Sequence, residues 1–175
     1  PQTSPNIKRQ NFINVQVDAI GVGITSAASP FLPVFLARLG ASSFEISLLS
    51  SMPAVAGFLL SLPLGRFIQR QKNIVPWFSN SRLIYYAGYS LTGLIGFFIP
   101  REYLVPGILI IWGLVTIPQT ITNICFTVLM NSVAGPKGRF ELMSRRWSIY
   151  GITTAVMVFL IGQVLVLLVF PINFQ

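Results

Sequence analysis

The 175-residue chain has no histidine, a single cysteine and only four acidic residues. Without histidine there is no His-based catalytic triad, no imidazole metal ligand and no haem ligation. One cysteine, Cys125, allows neither an intramolecular disulfide nor a cysteine metal cluster. The carboxylates Asp18, Glu45, Glu102 and Glu141 are dispersed along the chain, so paired-carboxylate acid/base chemistry lacks its two groups. The glycine-bearing GPKGR segment is too short for a phosphate-binding fingerprint and follows an apolar run rather than a strand. These absences leave no enzyme signature and no expected metal or cofactor. Charge itself is scarce: charged residues make up 9 % of the chain, against ~25 % in soluble globular domains.

Apolar runs fill the space instead. Five of them, Phe12–Ala37, Glu45–Leu64, Ile74–Ile99, Tyr103–Met130 and Trp147–Phe170, account for most of the sequence. Each reaches the ~20 residues with which a helix crosses a ~30 Å hydrocarbon core. They are too long for barrel strands and lack period-two alternation. The first is too long and too polar within for a cleaved signal peptide. Pro30, Pro33, Pro53 and Pro118 lie in or beside the runs, which membrane helices tolerate and soluble helices avoid. The sequence therefore predicts an all-α membrane protein, one transmembrane domain over residues 1–175 with five helices at about 12–37, 45–64, 74–99, 103–130 and 147–170.

Charge sets the orientation. Lys8 and Arg9 precede the first run, Arg66, Arg70 and Lys72 follow the second, and Lys137, Arg139, Arg145 and Arg146 separate the fourth from the fifth. The opposite loops hold only Arg38 and Arg101, beside Glu45 and Glu102. By the positive-inside rule the N-terminus is cytoplasmic and the C-terminal segment Pro171–Gln175 extracytoplasmic, in a multi-pass protein of the cell (inner, cytoplasmic) membrane. The net charge of +8 thus answers to anionic lipid headgroups of the bilayer, not to nucleic acid. The odd helix count, the missing initial methionine and the closing PINFQ lead us to expect part of a longer protein or a processed product.

Polar residues inside the runs are ordered. Asn14, Asp18, Gly21, Thr25 and Ser29 are spaced four, three, four and four apart, one stripe on an α-helix. Thr116, Thr120, Asn123, Thr127 and Asn131 repeat that spacing in the fourth run. Such stripes face protein or water rather than lipid. Helix–helix packing accounts for them. So does a shared aqueous cavity, since helices one and four are equivalent members if the unit is three helices repeated in inverted orientation.

Three segments carry a family resemblance. LPLGRFIQRQKN is similar to the loop Gly-x-x-x-Asp-Arg-x-Gly-Arg-Arg/Lys of the major facilitator superfamily, Gly65 matching the first glycine and Arg70 the arginine. Gln69 stands where the family has its acid, part of a charge network that holds one conformation, and Lys72 stands for the second glycine. GPKGRFELMSRRWSIYG looks like the basic loop between helices four and five, and FLARLGASSFEISLLSSMP like the outer turn before helix two. The chain resembles the N-terminal helical bundle of such a transporter, with the sixth helix and the C-terminal half absent.

The resemblance implies alternating access, helices one and four facing the missing half across a pathway for a small solute moved with protons or sodium. Proton coupling calls for a carboxylate in the membrane, and Asp18 is the candidate, about six residues or ~9 Å into the first span. Arg82, at similar depth in the third run and followed by Tyr85, Tyr86 and Tyr89, is its candidate ion-pair partner. Arg82 snorkelling to the headgroups, or contacting solute or ion, are the other readings. Gln119 and Gln163 are read as interhelical bonds or ligand contacts, and Trp77, Phe78, Tyr103 and Trp112 as an interfacial aromatic belt. Two functions follow: the N-terminal part of a secondary transporter, or a non-transporting, transporter-like accessory or scaffold subunit held among other membrane subunits. The second draws on the helix count, since five helices alone lack the partner repeat against which to rock.

Overall fold

The computed structural model describes residues 5–168, and among them it is all-helical, without strands. The elements are α1 (Pro5–Ser26), a 3₁₀ turn Ser29–Phe31, α2 (Leu32–Leu39), α3 (Ser43–Gln69), α4 (Val75–Leu94) with a 3₁₀ turn Ile95–Phe97, and α5 (Arg101–Leu167). The α5 backbone leaves helical geometry at Gly135, with φ 64° and ψ 178°, dividing it into limbs Arg101–Gly135 and Gly138–Leu167. A positive φ there suits a residue without Cβ. The predicted helix end at 170 and the segment Pro171–Gln175 lie outside the described residues.

Arg9–Leu39, Ser43–Gln69 and both limbs of α5 are long and apolar enough to cross a membrane. The 20-residue α4 is more polar, because Ser79, Asn80, Ser81, Arg82 and three tyrosines dilute its apolar residues. Large apolar side chains remain outside: Phe58 is 83 % exposed and Phe98 80 %. In water so much exposed apolar surface is an aggregation hazard; in lipid it is the solvated face. The protein is a multi-pass helical membrane protein.

Local signals explain the boundaries. The first predicted helix is broken, because Pro30 and Pro33 interrupt it and the chain restarts at Leu32 with proline in the first turn. Gly40, at φ 95°, closes α2 in the left-handed conformation, and Ala41 N–H donates to the Leu36 carbonyl at 3.0 Å. A capping box starts α3: Ser42 Oγ accepts from Glu45 N–H, and the Glu45 carboxylate accepts from Ser42 N–H at 2.7 Å. Asn73 Oδ1 accepts from Val75 N–H at 3.0 Å and opens α4. The second limb of α5 begins near Gly138, well before the predicted 147, so Arg139, Arg145 and Arg146 occupy helical turns rather than a loop.

The described residues form two compact units, one joining 5–29 with 128–168, the other comprising Pro30–Thr127. In the first, α1 lies against the second limb of α5. A Cβ on Gly23 would come within 2.8 Å of Thr153 Cβ and 3.1 Å of the Tyr150 carbonyl, and Thr154 Oγ1 donates to the Gly23 carbonyl at 3.3 Å. In the second unit Leu36 and Ile108 are fully buried, and Arg101 Nη2 donates to the Arg38 carbonyl at 3.4 Å. There Gly88 of α4 packs so closely on Val115 of α5 that an added Cβ would overlap the valine Cγ2. Gly88→Ala is therefore expected to cost about 1–3 kcal/mol by overpacking. The cost should shrink in a Val115→Ala background, as read from equilibrium unfolding in mixed micelles.

Candidate functional site

Asp18 lies on α1 one helical turn before Val22, on the side of the helix that meets the second limb of α5. Arg146 Nη2 donates to Asp18 Oδ2 at 3.3 Å. The arginine side chain is 6 % exposed and the aspartate 28 %. Two residues earlier on α1, Gln16 Nε2 reaches the Leu142 carbonyl at 3.5 Å. Residues 142, 146 and 153 follow helical spacing, so one face of the second limb meets α1 at Gln16, Asp18 and Gly23. Arg145, one position away and ~100° round the helix, is exposed and pairs with Glu141 at 2.8 Å.

Arg82, in the other unit, is packed among aromatics of its own helix. Its Nε donates to the Tyr86 hydroxyl at 3.0 Å, and its guanidinium carbon lies 5.1 Å from the Phe78 ring centre and 5.6 Å from that of Tyr86. Both are within cation–π range. Tyr85 O–H donates to Tyr89 at 2.8 Å, and Tyr89 meets Trp112 edge-on at 4.7 Å. Trp112 is buried rather than at a lipid interface, and its Nε1–H donates to the Leu49 carbonyl at 3.1 Å. That carbonyl stands four residues before Pro53, which has no N–H to give it. The tryptophan thus supplies the hydrogen bond that the proline withholds. Tyr103 and Trp77 are exposed, as a belt requires, and Trp77 packs edge-on against Phe67 at 4.8 Å.

The polar stripes divide. Thr116 and Thr120 are buried, and their hydroxyls donate to the carbonyls of Gly113 and Thr116 within α5. Thr25 does likewise to Gly21 and Val22, and Thr127 to Asn123. This back-bonding satisfies a hydroxyl in a membrane helix without a partner helix. Asn14, Ser29, Asn123 and Asn131 are exposed. A cavity of about 140 Å³ between α3 and α5 is lined by Gly57, Ser61, Gln119, Thr120 and Asn123. It gathers two carboxamides and two hydroxyls without a charge, the donor and acceptor set for water or a neutral hydrogen-bonding solute. Gln163 is exposed.

The signature segment sits at the end of α3: Gly65 is within the helix, Gln69 is its last residue, and Arg70 is the C-cap, its N–H donating to the Phe67 carbonyl at 3.2 Å. Gln69 and Arg70 are both exposed. Comparison with protein-family models, with curated proteins and with solved structures returns no match.

What sequence reasoning missed is the role of Arg146. Counted among the basic loop residues, it contributed only to orientation. Its signal was available: it abuts the apolar run at Trp147, whereas Arg145 has Glu141 four residues before it.

Proposed function

We propose that this chain is the N-terminal helical part of a secondary transporter of the major facilitator type, moving a small solute with protons or sodium. The observation that carries the reading is the Asp18–Arg146 ion pair within helices of membrane-spanning length. Ionisable residues at such positions are costly, and where they persist they mark solute, ion or proton routes. In this reading Asp18 is the coupling carboxylate and Arg146 its counter-charge. Protonation or ion binding at Asp18 weakens the pair, and the energy difference between paired and unpaired states biases the two access states. The matched stripes on α1 and α5, the α3–α5 cavity and the partial signature at Gly65 and Arg70 support the same reading. The basic end, with the N-terminus, then faces the cytoplasm of a cell (inner) membrane, and a second helical half completes the pathway.

The burial and internal hydrogen bonding of Thr116 and Thr120 favour a second reading, an accessory or scaffold subunit whose stripes are packing surfaces. Side-chain accessibility separates the two. In a Cys125→Ser background, single cysteines at Asn14, Thr25, Asn123 and Thr127 are expected to react with membrane-impermeant thiol reagents in intact cells and in inverted vesicles. Labelling from both sides fits a pathway. Protection from both sides at all four positions would sink it in favour of packing.

A further inference from the structure

The geometry points to a groove for an anionic phospholipid between α1 and the second limb of α5, its phosphate held by Arg9 and Arg145. A cleft of about 650 Å³ runs there within one compact unit. Arg9 and Arg145 line it together with Phe12, Ile13, Gln16 and Val17, so two cations share a wall with a floor that is apolar but for one carboxamide. The Arg145 guanidinium lies 5.8 Å from the centre of the Phe12 ring, which keeps the charge over the cleft.

Three features select a lipid over a free anion. The cleft has a cationic end and a mostly apolar length, where a phosphate alone would use only the former. From Arg9 to Ile20, also on its wall, α1 rises ~16 Å at 1.5 Å per residue, about the depth of one leaflet in a ~30 Å core. The arginines mark the basic end of the helices, where headgroups of the anionic leaflet gather. Glu141, paired with Arg145 at 2.8 Å, faces the same cation and offsets part of its charge. The ligand must therefore displace or share that pair. Both partners are more than 60 % exposed, so the pair is a weak competitor.

The test uses the full-length protein in neutral detergent, titrated with phosphatidylglycerol or phosphatidylcholine of matched chains, retention being read by native mass spectrometry. Arg9→Gln with Arg145→Gln is expected to weaken phosphatidylglycerol retention about 30-fold, five- to sixfold for each ~1 kcal/mol contact, while phosphatidylcholine is unchanged. Glu141→Gln should strengthen phosphatidylglycerol retention, and Val17→Trp, which fills the floor, should weaken both lipids. A matched loss of charge elsewhere, Arg66→Gln with Lys72→Gln, should leave retention at this groove intact. Equal losses from the two charge-matched pairs would overturn the site as mere surface electrostatics. So would displacement of the lipid by millimolar inorganic phosphate, which would make it a free-anion site, or indifference to both Glu141→Gln and Val17→Trp.

Discussion

Asp18→Asn is expected to destabilise the protein by about 2–4 kcal/mol, somewhat below the ~3–5 kcal/mol of breaking a fully buried pair because Asp18 keeps 28 % of its side-chain surface. The asymmetry of the pair sets the rest of the pattern. Arg146 is 6 % exposed, so a neutral amide at position 18 leaves a buried cation facing a weaker acceptor. Arg146→Gln should cost less, since the carboxylate left behind lies nearer the surface. Removing both charges together removes the need to solvate either, and the double variant should be closer to wild type than the sum of the singles. A coupling energy on the order of 1–3 kcal/mol from the double-mutant cycle is expected. Additivity of the two single effects would mean that the 3.3 Å contact contributes nothing specific.

Trp112→Phe is the second large effect, about 1–3 kcal/mol, the cost of leaving the Leu49 carbonyl without its buried donor. Phenylalanine keeps a six-membered ring beside Tyr89 but loses the pyrrole half of the buried indole, so a packing loss accompanies that of the N–H. The cause can be isolated through Pro53. Pro53→Ala restores a backbone N–H four residues after Leu49, giving the carbonyl its ordinary helical partner. In that background Trp112→Phe should cost distinctly less, only the packing loss remaining. An undiminished cost would place the tryptophan's contribution in packing alone.

These two sites show what the sequence could reveal. Apolar runs announced the spans, because lipid forces every backbone group to bond within its own segment and leaves the pattern local. The Pro30 break and the Ser42–Glu45 cap rest on signals just as local, yet the sequence reading ran one helix through 12–37. Partner choice is not local. Asp18 called for a cation, and depth offered Arg82. Within its own compact unit Asp18 meets Arg146 of the second limb of α5, an arginine that depth did not single out. Neighbours 145 and 146 differ by ~100° of helix rotation, which leaves one in an exposed pair with Glu141 and buries the other against Asp18. Trp112 read as interfacial because its run position was near an end, whereas its N–H is committed to a proline's orphaned carbonyl. The threonines of both stripes were legible as a face, but their hydroxyl bonds to their own helices require coordinates.

The most direct measurement is solute-driven ion movement in proteoliposomes containing the full-length protein, with a pH-sensitive or sodium-sensitive dye inside, across a panel of small-solute classes. At least one class is expected to carry protons or sodium inward with it, and Asp18→Asn to abolish uphill accumulation while leaving downhill exchange measurable. A folded, inserted wild-type protein that moves neither solute nor ion under any imposed gradient would contradict the transporter reading and leave the accessory role in its place.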